Sequence, residues 1–234
     1  MIVTFRAAGS GAGNATVATQ AIAQPATTQI NDILIAVVIN KALTNVMSPP
    51  DATWFSIYQA DGDCTVVADD HRVAIWWKRA TANGAANHTF TKATDDNVLF
   101  YGAIIAYSGC ISRGSPIDAT AVGATVTAAA GSNGNFPAFD PTATENETVF
   151  VCVTGNDLTT FAAAMSSDTN PDCTTRLDVE TSTGTDCSIG ITSGRNDGSN
   201  IAARTWGYAP TTTCGNSAIV FALVAESRQF ITHH

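Results

Sequence analysis

The residues here with the most chemical reach are four tryptophans, three acidic loop clusters, four histidines and one glycine-flanked serine. Trp76 and Trp77 are adjacent, and neighbours on a strand point to opposite faces. One indole is therefore expected in the core, and the other outward or against a neighbouring chain, where an aromatic face packs well on a sugar ring. Asp61–Gly62–Asp63, Asp69–Asp70 and Asp95–Asp96–Asn97 have the oxygen donors of a hard-cation site. They lack the glycine and the closing glutamate of an EF-hand loop, and Asp and Asn are ordinary turn residues. Gly9–Ser10–Gly11–Ala12–Gly13 does not match the GxSxG turn that exposes a nucleophilic serine. It reads as a flexible arm, so Ser10, Gly11 and Gly13 join Trp76 and Trp77 as candidate partner contacts. His233 and His234 end the chain, and His71 and His88 stand in no recognisable triad. Neither GxxxxGK[ST] nor GxGxxG occurs, and Glu145, Glu147, Glu180 and Glu226, the only glutamates, fall in no motif. The expectation is a protein that is not an enzyme and carries no cofactor and no metal.

Composition narrows the partners. Charged residues make up 13% of the 234, against about 25% in an average soluble domain, and Ala, Thr and Val fill the difference. Such a surface suits a protein packed against neighbours or working outside cells. The formal net charge is −9, and the eleven Lys and Arg are scattered. A phosphate backbone requires clustered cations, so no nucleic acid is expected. No apolar run reaches the length of a membrane-spanning helix, and Met1–Arg6 does not open a signal peptide. Synthesis in the cytoplasm with release by lysis follows as the expectation. Six cysteines form no CxxC pair, which gives zinc little support. Cys152 sits in an apolar run and reads as a small buried hydrophobe. Cys173 and Cys187 flank a hairpin whose turn, centred on Thr181–Gly184, would set Cys187 opposite a residue near Asp178. The spacing leaves disulfides open.

The elements that must position these residues are strands. Ile33–Ile39 is a continuous apolar run rich in β-branched residues, expected in a central strand buried on both faces. Thr53–Tyr58 follows a loop that Pro49 and Pro50 keep out of a sheet. Arg72–Lys78, His88–Lys92 and Val98–Tyr107 follow, punctuated by turns such as Asn83–Gly84. The second half continues with Thr148–Thr154, Arg176–Val179, Ser188–Thr192, Ile201–Trp206 and Ser217–Val224. Asp157–Met165 allows a helical turn with Asp157 as its cap. Ten or eleven strands without β-then-helix alternation predict an all-β fold, a two-sheet antiparallel sandwich of jelly-roll type with long loops. Residues 1–30 are expected as an N-terminal arm and first strand, and residues 31–234 as a single β-sandwich domain. The small-residue stretch Ala119–Asn135 is expected to be a long crossover between sheets.

Five segments carry a family resemblance. Asn31–Val38 matches a "GD-L-A-V" strand opening. Pro50–Trp54 matches a "P-GWT" turn, with Asp51–Ala52 in place of the usual glycine. Arg72–Ala80 matches "-VA-WWK-A" and His88–Thr91 matches "-YTFT". Ile105–Cys110 followed by Ser115–Asp118 matches "AY-GV—SPID". Over roughly residues 30 to 120 the chain resembles β-sandwich proteins of tailed bacteriophages and prophages, found as head-decoration or tail-associated virion components. The resemblance implies a capsid decoration (cement) protein made in the host cytoplasm and carried on the outer surface of the virion. Its partners would be the major capsid protein or other virion proteins, with homo-oligomer contacts and no membrane. The alternative is a tail-associated receptor- or glycan-binding module. The family pattern is one of packing and turns, so no catalytic residue carries over.

Overall fold

The computed structural model describes residues 2–14, 17–43, 45–63, 70–94, 98–118, 120–126, 133–143, 146–155, 160–161, 165, 171–182, 186–209 and 215–226. The regular elements among them are strands: β1 (Thr4–Ala8), β2 (Ala12–Asn14), β3 (Thr19–Ala23), β4 (Ile33–Asn40), β5 (Met47–Ser48), β6 (Phe55–Gly62), β7 (His71–Arg79), β8 (Asn87–Lys92), β9 (Phe100–Ser108), β10 (Val122–Val126), β11 (Asn133–Phe136), β12 (Asn146–Gly155), β13 (Thr160–Phe161), β14 (Thr174–Thr181), β15 (Cys187–Asn196), β16 (Arg204–Ala209) and β17 (Gly215–Val224). They form four antiparallel sheets. The first large sheet runs β1-β9-β4-β7-β6, with β2 also on β9; the second runs β10-β17-β12-β15-β14. The small sheets run β3-β8-β5 and β11-β16-β13.

Three apolar cores stack these sheets into four layers. Along β4, Ile33, Ile35, Val37 and Ile39 enter a central core shared with Val149, Val151 and Val153 of β12. The alternate residues Leu34, Ala36 and Val38 enter an outer core closed by Ile22, Met47 and Phe90 of the first small sheet. β12 repeats the division, sending Phe150 and Cys152 to a core with Phe136, Phe161 and Trp206 of the second small sheet. The large sheets are therefore covered on both faces, which is why their central strands carry continuous apolar runs, such as Ile33–Ile39 and Val149–Val153, rather than strict alternation. The abundance of alanine follows from the same layering. Ala36, Ala74 and Ala106 leave room on the outward face of the first large sheet for Trp76 and Phe90. Gly102 completes that floor, since a Cβ there would lie 2.5 Å from Cδ1 of Ile22. Close packing of this kind pairs large residues with small ones across facing positions.

The two halves of the chain have one topology. Replacing β1, β3, β4, β5, β6, β7, β8 and β9 by β10, β11, β12, β13, β14, β15, β16 and β17 converts the first pair of sheets into the second without changing the order. The match extends to register. Ile33 pairs with Arg79 on one side and Tyr107 on the other; Glu147 pairs with Arg195 and Leu223. The β6–β7 ladder has an irregularity at Ile57, and the β14–β15 ladder has the equivalent one at Arg176. The halves pack back to back through their large sheets, with β1 against β14 and β10 against β6. These two contacts exchange under a pseudo-two-fold axis, as in an isologous interface. Of the eight equivalent positions in β4 and β12, Val37 and Val151 alone share a residue type.

The all-β antiparallel expectation holds, with four sheets where the sequence suggested two. Residues 1–30 supply three strands. Ala119–Asn135 contains β10, paired with β17, and most of β11, paired with β16. Most of Asp157–Met165 lies outside the described residues, and Thr160–Phe161 within it is strand. Cys187 lies opposite Thr181 rather than near Asp178. The four described cysteines (Cys110, Cys152, Cys173 and Cys187) are buried and in no disulfide; Cys64 and Cys214 lie outside the described residues.

Candidate functional site

The sequence sends Trp76 and Trp77 to opposite faces of β7, and both faces are covered. Trp76 is 1% exposed in the outer core, against Phe90. Trp77 is 8% exposed and packs in the central core. The expected outward tryptophan is thus a buried one: the face it points to belongs to the other half of the same chain. What reaches solvent instead is the ring stacked on it. Phe55, directly across the ladder from Trp77, is 52% exposed. The two rings are 4.8 Å apart and 27° from parallel. Among the described residues β6 is the edge strand of its sheet.

These rings floor an open cleft of about 630 Å³, lined by Ala52, Thr53, Phe55, Trp77, Arg79, Thr81, Gly114 and Ser115. That size is within the range of small-molecule sites. One wall is the turn before β6. The Asp51 carboxylate accepts the Thr53 amide at 2.7 Å and also the Thr53 hydroxyl. Those bonds, more than the Lys78 ammonium 3.4 Å away, hold its pKa below the usual aspartate value. The opposite wall is the link between the halves. The Arg79 guanidinium donates to the Ile111 carbonyl at 2.7 Å and the Asn31 carbonyl at 3.4 Å. Gly114 turns the link at φ 76°, a left-handed conformation that favours glycine. The Ser115 hydroxyl oxygen accepts the Ile117 amide at 3.2 Å. The cleft therefore has an aromatic floor, a hydroxyl rim and one anchored cation, and its lining includes no carboxylate.

The remaining sequence candidates are built into the fold. Ser10 is exposed. Gly11 and Gly13 lie under Tyr101, where a Cβ would come within 1.8 Å of the phenol oxygen and 2.5 Å of the ring. His71 Nε2 lies 2.9 Å from Ser217 Oγ, a histidine–serine pair sealed in the interior, with His71 at no exposure. His88 contacts Gln24 at 2.8 Å, and burial lowers its pKa. Asp61 pairs with Arg72 at 3.3 Å; Asp69, Asp95, Asp96 and Asn97 lie outside the described residues. No group of three metal-ligating side chains occurs among the described residues. Burial pushes the thiols of Cys110 and Cys173 up to about 12, and that of Cys187 further.

One polar cluster escaped sequence reading. Ser193 donates to Glu147 at 2.6 Å, and Arg176 donates to Ser193 at 2.9 Å while lying over the Phe5 ring at 5.0 Å. Burial raises the pKa of Glu147 against the pull of Ser193 and Arg176. Nothing in the spacing of residues 147, 176 and 193 announces the cluster. No family model, curated protein or solved structure matches the chain.

Proposed function

We propose that the chain is a non-enzymatic structural protein of a tailed-bacteriophage particle, a decoration or cement protein that bridges major capsid subunits on the outer surface. The observation that carries this reading is the duplicated architecture. Two topologically equivalent halves lie back to back, so their small sheets are the outermost layers and face opposite ways. Each presents short, uncharged side chains to solvent: Thr19, Ala21, Asn87 and Thr89 on one, Asn133, Asn135 and Thr205 on the other. A rigid block with two such faces fits a bridge between two neighbours. We read each half as a jelly-roll variant, eight strands in two sheets, in which the strand after the small-sheet edge (β6 or β14) has joined the large sheet.

The residues that carry the phage-family resemblance are used in this block for packing and turns. Trp54, Trp76 and Phe90 fill the first outer core. Asp118 holds the amides of Thr142 and Ala143 at 2.8 and 2.9 Å. Buried thiols with raised pKa values are poor nucleophiles, which also favours a structural role.

The test is the copy number of the chain in purified particles, by quantitative mass spectrometry against the major capsid protein. A ratio near unity, or a fixed large fraction of it, supports the lattice role. A few copies per particle moves the protein to the tail, and its absence from particles overturns the reading.

A further inference from the structure

We infer that the Phe55–Trp77 cleft is a binding site for a neutral saccharide, with a pyranose ring seated on the exposed face of Phe55. The duplication provides an internal control. The positions equivalent to Phe55 and Trp77 in the second half hold Thr174 on the equivalent edge strand and Ser193 on its neighbour, beside the equivalent ladder irregularity. The fold is completed there without an aromatic pair, so folding alone does not call for a phenyl ring half open to water.

The ligand class follows from the lining. A pyranose has an apolar C–H face and a perimeter of hydroxyls. The cleft answers the first with the Phe55 ring and the second with Thr53, Thr81, Ser115 and Arg79 in its lining, the Thr53 hydroxyl also bonding Asp51 and the Ser115 hydroxyl the Ile117 amide. Hydrogen bonds from Arg79 to two backbone carbonyls hold its guanidinium at the cleft wall, and a guanidinium has five N–H donors in all. A nucleotide or other polyanion would need more than one cation, and the net charge of −9 opposes it. A lipid chain would leave the hydroxyl rim without partners.

The full chain is to be titrated with neutral oligosaccharides built from glucose, galactose, mannose or N-acetylglucosamine, first on an array and then by calorimetry. At least one is expected to bind. Phe55→Ala should weaken it about tenfold or more, and Phe55→Tyr by no more than about threefold. Thr174→Ala, at the equivalent position in the other half, should leave it unchanged. Ser115→Trp fills the cleft from its exposed wall and should abolish binding even if Phe55→Ala perturbs the fold. No binding by any member of the panel at millimolar concentration overturns the assignment. So does binding that survives both Phe55→Ala and Ser115→Trp, or Phe55-dependent self-association that no oligosaccharide reverses, which would make a second copy the occupant. The outcome is independent of the copy-number measurement, since a saccharide site serves equally on a head or a tail protein.

Discussion

On the β6–β10 side the corner of the central core is apolar, with Ile33, Ile57, Trp77, Ile117 and Leu223 packed together and Phe55 stacked on Trp77 at the exposed rim. Where β1 meets β14, the six equivalent positions hold Glu147, Arg176, Ser193, Phe5, Tyr107 and Thr174. The correspondence is fixed by pairing, because Ile117 faces Leu223 as Phe5 faces Tyr107. One corner is closed by a charge network capped by a phenyl ring, and the other is left open over stacked aromatics. Frames of equivalent strand order and register thus tolerate opposite chemistry, with Ser193 and Arg176 supplying the partners of the buried Glu147 carboxylate. What the two halves keep in common is strand order and register rather than the side chains that fill them.

The comparison can be broken most forcefully at Trp77. Trp77→Ala removes the largest side chain of the apolar corner and should cost about 3–5 kcal/mol, read as a fall in the urea midpoint. A cost below about 1 kcal/mol would mean that this corner is not packed as described. Next comes the polar corner. Arg176→Met leaves Glu147 buried without its cation and should cost about 1–3 kcal/mol at neutral pH, with the deficit shrinking in acid as Glu147 takes a proton.

Glu147 itself sharpens the contrast through pH. Burial raises its folded-state pKa above the ordinary value. Its contribution to stability is therefore full below the ordinary carboxylate range and is lost as pH rises through the raised value. Glu147→Gln still accepts the Ser193 hydroxyl and should flatten the dependence of the urea midpoint on pH above the ordinary carboxylate range. An unchanged slope would show that Arg176 already compensates the charge in full. The smallest effect is expected at the cleft. Phe55→Ala removes a half-exposed stacking partner and should cost about 0.5–1.5 kcal/mol. Ser193→Ala, opposite in kind at the position equivalent to Trp77, should cost more than Phe55→Ala because it leaves Glu147 and Arg176 without their bridging hydroxyl.

Sequence patterns reached the strands and stopped at the sheets. The continuous apolar runs announced β4, β9, β12 and β17 as strands, and that of β4 as one buried on both faces, because an apolar run without polar alternation fits no half-solvated strand. The alternation at Trp76–Trp77 correctly separated the two indoles. It could not tell that the second face was covered as well, since period-two patterning reports a face and not what lies over it. Ala119–Asn135 read as a crossover because small residues weaken any strand signal; there Gly123 makes room for Tyr58, whose hydroxyl would lie 2.5 Å from an added Cβ. The thiols show the same limit, because a buried free cysteine and a bridged one have the same letters around them.

By itself the sequence determined the class of fold, the places of its central strands and the scarcity of cations for nucleic acid. Those properties reside in residue types and their local periodicity. The duplication, the exposure of Phe55 and the meeting of Glu147, Arg176 and Ser193 were decided only in three dimensions. Strand order and register depend on pairings between residues far apart in the chain, and the two halves preserve those pairings while sharing almost none of the side chains that make them.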